Sequence, residues 1–222
     1  MAAAIRRREA AVRFALHGGW VAAVLFVLAL LLLAAATPGY RHAQHAVGFL
    51  GMHGAAHAAW WNLCGALLPG ALLVAFTLAL RVPLAASGAG SASRIGAWLL
   101  LLSALAFTGG GVFAFDPRAP GGLATQLHVA MLTLVLLGFL PGALLLGLDA
   151  GRRPGWHALR GWGLLLAAGT VAAMVQEGIG LVPALDGHPG ALQRITLGLY
   201  LAWMALASRV ARRAMAGVCA LR

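Results

Sequence analysis

Two pairs of histidines at helical spacing are the first residues in this chain able to do chemistry. Within residues 40–62, "YRHAQHAVGFLGMHGAAHAAWWN", His42 and His45 are three apart, and His53 and His57 are four apart. On a helix either spacing brings two imidazoles to one face. With a third or fourth ligand they would suit zinc or copper. His53, His57 and His128, completed by Asp116 or Glu177, are the candidate metal set, and zinc is the cofactor it implies. The competing reading is a row of solvated loop histidines, since no HExxH or other sharp metal motif accompanies them. Bis-histidine haem would have only His57 and His128 to draw on.

The carboxylates narrow the chemistry further. Glu177 falls inside an apolar run, about six residues from its end and roughly 9 Å below the membrane interface at helical rise. A carboxylate there costs several kcal/mol unless it is protonated, paired or hydrated, so it is a functional candidate. Arg194 is the one basic residue expected to reach it, which leaves a structural Glu177–Arg194 pair as the alternative. Asp116 and His128 flank a Pro/Gly-rich turn, where an aspartate could orient an imidazole or merely cap the turn. Asn62, Gln126, Gln193 and Arg194 are the accompanying candidates for ligand binding. No nucleophile elbow, P-loop or CxxC pair is present.

Composition sets the elements that must position these groups. Of 222 residues 62% are hydrophobic and 9% charged, with a mean hydropathy of +0.89. A soluble domain has about 25% charged residues, so the chain is read as an integral membrane protein. Its net charge of +11 comes from 16 arginines and no lysine. Such basicity between hydrophobic runs is a topology signal and not a nucleic-acid surface. Arginine-only basicity with abundant alanine points to a GC-rich bacterial genome. Cys64 and Cys219 fall near opposite membrane faces, too far apart to bridge.

A hydrocarbon core about 30 Å thick needs roughly 20 apolar helical residues. Six windows qualify, at 18–37, 60–81, 95–115, 126–148, 159–183 and 191–212. The expectation is therefore an all-α polytopic bundle of six transmembrane helices forming a single domain over 1–222. The first run resembles a signal peptide after Arg6–Arg8, but it exceeds the 7–15 residues of a signal core and is read as a retained helix. Four arginines precede it (Arg6, Arg7, Arg8, Arg13), and Arg81 and Arg94 flank the second turn. Arg152, Arg153 and Arg160 lie in the fourth turn, and Arg209, Arg212, Arg213 and Arg222 follow the last span. Only Arg41, Arg118 and Arg194 fall on the other side. The positive-inside rule then puts both termini in the cytoplasm, with the protein in the bacterial inner membrane. The polar candidates gather in the outer third, so any site is expected to open outward.

Pattern inside the spans adds detail. Small-residue strings such as "GALLPGALL", "GGGVFAF" and "LLAAGTVAA" favour close helix packing in lipid, and Pro69 and Pro141 should kink their helices. Trp60, Trp61, Trp156 and Trp162 are expected as interface anchors. "NLCGALLPGALLVAF" resembles "LVLLGFLPGALLLGL", each with a histidine (His57, His128) about twelve residues before its proline. "GVFAFDPRAPG" likewise resembles "GLVPALDGHPG", aligning Asp116 with Asp186 and suggesting assembly from helical hairpins.

Residues 62–81, 107–130 and 191–209 resemble a bacterial and archaeal family of six-helix membrane proteins, domain of unknown function 998. The resemblance covers the second to sixth helices and rests on Asn62, Gly65, Asp116, His128, Gln193 and Arg194. Where the family usually has a serine before the second helix, this chain reads "VGFLG", with Gly48 at that position. His42, His45, His53 and His57 stand outside the family pattern. The resemblance implies the six-helix bundle and the outer polar cluster, and no activity.

Two functions follow as expectations. One is non-enzymatic binding or transport of a lipid headgroup or small amphiphile in an outward-facing pocket, with Glu177 and Arg194 near its floor. The rim would carry Asn62, Asp116 and His128. The alternative is an intramembrane zinc hydrolase of a lipid, with histidines and Asp116 on the metal and Glu177 as general base. Membrane lipids are the expected partners, and a homo-oligomer or a membrane partner protein would be a further one.

Overall fold

The computed structural model describes residues 2–183 and 187–220, and among these the chain is helical with no strand. Lipid offers the backbone no hydrogen-bond partner, so helices are the form these apolar runs must take. An arginine-rich helix α1 (Ala2–Ala15) leads into α2 (Gly18–Ala36). A 3-10 turn (Val47–Gly51) and a four-residue helix α3 (Ala58–Trp61) precede a π-helical turn (Asn62–Leu67) that runs straight into α4 (Leu68–Ala86). Next come α5 (Ser91–Val112) and α6 (Leu123–Leu148). A 3-10 turn (Ala150–Arg152) and a second π turn (Leu159–Gly163) lead into α7 (Leu164–Ile179) and the long α8 (Pro189–Ala220).

Five of these helical runs are long and apolar enough to cross a membrane: Arg6–Ala36, Ala58–Ala86, Ser91–Val112, Leu123–Arg152 and Leu159–Ile179. The expected sixth span is α8, which falls outside that set. Its composition is the reason, since Gln193, Arg194, Arg209, Arg212 and Arg213 lower its hydropathy. α8 packs on α2, α4 and α7, burying Tyr200, Trp203, Met204 and Ala207 completely. A helix shielded by its neighbours can carry Gln193, Arg194, Thr196 and Ser208 without exposing them to lipid. The outer helices present large apolar side chains instead, among them Leu32, Leu105, Leu137 and Leu165.

Glycines set the closest packing. A Cβ on Gly138 of α6 would stand 2.6 Å from the Leu99 carbonyl oxygen of α5, and one on Gly142 would stand 3.0 Å from that of Gly96. Only a bare backbone permits this approach, and α5 and α6 accordingly form the most extensive helix pair. Rings link the centre: Phe107 stacks on Tyr200 at 5.8 Å, and Phe139 meets Tyr200 and Trp203 edge-on at 5.0 and 5.6 Å.

Several local expectations change. Pro69 sits in the first turn of α4 directly after the π turn. A proline ring clashes with the carbonyl four residues before it, and a wide turn there absorbs the conflict. Pro141 lies within α6, and the helix continues through it. Trp60 and Trp162 are exposed as expected of anchors, whereas Trp61 and Trp156 are buried core residues. α7 ends at Ile179, short of residue 183, because Gly180 takes a left-handed conformation (φ 68°) and donates its N–H to the Gln176 carbonyl. Asp186, aligned above with Asp116, lies outside the described residues.

Candidate functional site

The two ends of the bundle differ chemically. At the arginine-rich end, Asp149 follows α6 and accepts a hydrogen bond from the Ser93 N–H in the first turn of α5 at 3.0 Å. It also pairs with Arg153 at 3.8 Å, which itself donates to the Ser87 carbonyl. Asp149 thus caps α5 from a different helix, satisfying one of its orphan N–H groups. It lies at the end opposite the polar candidates of the outer third.

At the opposite, histidine-bearing end, His57 and His128 repeat one device. His57 Nε2 donates to the carbonyl of Ala36, the last residue of α2, at 3.2 Å. His128 Nδ1 donates to the carbonyl of Phe113, just past the end of α5, at 2.7 Å. Each imidazole closes the C-terminus of the preceding long helix, where carbonyls lack intrahelical partners. Because a carbonyl only accepts, Nδ1 of His128 carries a proton, and in the neutral ring Nε2 is an acceptor. A Cβ on Gly48 would stand 3.5 Å from that Nε2.

Residues 37–51 form a strap across this end, fastened to the start of α8. Gln193 Oε1 accepts from the Val47 N–H at 2.5 Å, and the Ala191 N–H donates to the Ala43 carbonyl at 3.0 Å. Arg194 donates to the carbonyls of His45 and Gly190 at 2.9 and 2.6 Å and to the Tyr40 hydroxyl. Burial pushes the Tyr40 phenol above its ordinary pKa, against the opposing pull of Arg194, so it stays neutral. His45 stacks on Phe49 at 4.7 Å and accepts from the Arg41 N–H at 3.0 Å. Gly190 is required here, since a Cβ would lie 2.4 Å from the His45 carbonyl oxygen.

Beneath the strap is a cavity of about 420 Å³. Val47 and Gly48 roof it, Trp61, Phe107 and Gly110 wall it, and Tyr200 lies at its inner end. α6 meets α7 far less than it meets α5. The exposed members of the lining, Val129, Leu132 and Thr133 from α6 and Glu177 and Gly178 from α7, mark the open side between those two helices. The expected outward mouth is therefore a sideways one, because the strap occupies the end. Most of the lining is apolar. Its polar members are His128, Thr133, Glu177, Gln193, Thr196 and Tyr200. Thr196 is 6% exposed, and its hydroxyl has no hydrogen-bond partner.

Three expectations are corrected. The metal set does not assemble: no group of three or more His, Cys, Asp or Glu is gathered among the described residues. His53 is exposed and tied through its backbone N–H to Phe115, while His57 and His128 are spent on separate helix ends. Asp116 does not orient His128. Its carboxylate accepts from the Arg118 N–H at 2.9 Å and its backbone bonds Thr125, so it caps its own turn. Arg194 does not pair with Glu177, because the strap holds its guanidinium.

Of the ligand-binding candidates, Gln193 reaches the cavity. Asn62 donates to the Gly51 carbonyl at 3.1 Å, and exposed Gln126 donates to that of Gly121 at 3.0 Å. Thr196 and Tyr200, which the sequence reading missed, lie three and seven residues after Gln193, on the same helical face.

No curated protein and no solved structure matches this chain. A family model does: residues 20–210, from the start of α2 into the last turns of α8, match the family described as "Protein of unknown function (DUF998)", and the chain belongs to that family.

Proposed function

We propose that this protein binds a small amphiphile or the polar end of a lipid in the cavity between α6 and α7, as a binding or transport protein without chemical turnover. It would do so in the bacterial inner membrane, with both termini cytoplasmic and the strap of residues 37–51 on the outer side. The arginine distribution supports that orientation, since the basic residues concentrate at the end opposite the strap.

One observation carries the reading. A cavity of about 420 Å³, apolar over most of its lining and polar at a few points, opens between two helices whose outer surfaces are apolar. Ordinary small-molecule sites have about this size and this mixture. A sideways mouth admits a molecule already dissolved in the leaflet, and the strap keeps water from the end.

Gly110 offers the test. A Cβ there meets no atom within 4 Å, so Gly110→Phe projects its ring into the cavity without a backbone clash. In nanodiscs of zwitterionic phospholipid, a dodecanol with a diazirine in its chain should crosslink to Leu132, Leu136 or Met174. Gly110→Phe should remove that labelling while the melting temperature holds. Labelling that ignores the variant, or never reaches these residues, counts against the reading.

A further inference from the structure

The polar end of the bound molecule can be specified from the lining, given the amphiphile reading above. Glu177 is the one side chain with a full charge among the cavity's described lining residues. The nearest candidate counter-charge, Arg194, is held by Tyr40 and by the carbonyls of His45 and Gly190. His128 in its neutral form contributes an Nε2 lone pair, because its Nδ1 proton is committed to Phe113. Gln193 has spent its oxygen on the Val47 N–H, which leaves it the N–H donors of its amide. Thr196, 94% buried with an unpartnered hydroxyl, is a polar group left incomplete by the protein alone. Such a group is unfavourable unless something else completes it.

Apart from the Gln193 amide N–H, this set offers acceptors and carries negative charge. A phosphate, sulfate or carboxylate would meet Glu177 with no cation to offset the repulsion. An ammonium bearing N–H donors would find a carboxylate, an imidazole lone pair and a hydroxyl oxygen, each an acceptor. A volume of about 420 Å³ suits one alkyl chain better than two. We propose that the cavity takes a single-chain amphiphile ending in a protonated primary amine. The ammonium lies at Glu177, His128 and Thr196, and the chain runs along the apolar side formed by Leu132, Leu136 and Leu197.

The test uses four photoreactive probes with one dodecyl chain, ending in primary amine, trimethylammonium, sulfate or hydroxyl. Each is presented to the full chain in nanodiscs of zwitterionic phospholipid, and crosslinks are mapped by mass spectrometry. The amine is expected to label Leu132, Leu136 or Leu197 most strongly. Glu177→Gln should weaken amine labelling about tenfold, as loss of a charge-assisted hydrogen bond does, and leave the alcohol nearly unchanged. Glu177 is exposed, so this variant should fold normally. Thr196→Val should lower amine labelling with little effect on the alcohol.

Sulfate labelling equal to amine, or amine labelling indifferent to Glu177→Gln, would overturn the headgroup assignment and leave the cavity reading standing. Trimethylammonium labelling as strong as amine would overturn the primary amine, since charge alone would then suffice. Failure of all four probes to reach the cavity, or labelling that survives Gly110→Phe, would overturn the cavity reading itself.

Discussion

His128 donates its Nδ1 proton to the backbone carbonyl of Phe113 at 2.7 Å, and that one bond determines what the ring offers to the cavity. With Nδ1 committed, Nε2 of the neutral ring is an acceptor beside Gly48. The bond also closes the end of α5, just as His57 closes the end of α2 through Ala36. The echo between the two histidines is therefore a repeated helix-ending device.

Gly48 leaves room for a Cβ beside Nε2. A Cβ on Gly48 would make an ordinary contact 3.5 Å from Nε2. Gly48→Ser should therefore fold with an unchanged melting temperature and donate to Nε2, visible as a change in the His128 ring ¹⁵N shifts. A substantially lowered melting temperature would show that the roof has no such room.

The strap depends on the bare backbone at Gly190. A side chain there meets the carbonyl oxygens of His45 and His42 at 2.4 and 2.7 Å. Gly190→Val should cost about 1–3 kcal/mol by overpacking, and most of that cost should appear as local opening of the strap. Trypsin cleavage after exposed Arg41 should speed up several-fold relative to the wild type. Unchanged cleavage would mean that Gln193 and Arg194 hold the strap by themselves.

Asp149 is a structural residue at the far end of the molecule. Asp149→Ala removes the acceptor for the Ser93 N–H and the partner of Arg153. A lost helix cap costs about 1 kcal/mol, so the melting temperature should fall by a few degrees. Amphiphile labelling of the cavity at the other end should be unaffected. A loss of labelling without loss of stability would contradict this assignment.

Zinc gives a fourth measurement. With His53, His57 and His128 held by different partners, added zinc should leave the melting temperature unchanged, and elemental analysis should find well under one zinc per chain. One zinc per chain that disappears in His128→Ala would require the histidines to regroup.

The sequence by itself determined the class of fold. Hydropathy is a local property summed along the chain, so "VLFVLALLLLAAA" and its counterparts fall on α2, α5, α6 and the helical runs Ala58–Ala86 and Leu159–Ile179. Spacing within one helix was legible for the same reason, as Gln193, Thr196 and Tyr200 illustrate. The partners of the polar groups were not legible. Arg194 had Glu177 seventeen positions away as its expected mate, and the structure gave it Tyr40, 154 positions away. Glu177 is thereby left as the sole full charge among the cavity's described lining residues, a consequence of which helices become neighbours. Tertiary packing decided that. A hydrogen bond forms between groups brought within about 3 Å, and no periodicity along the chain records which distant segments will meet.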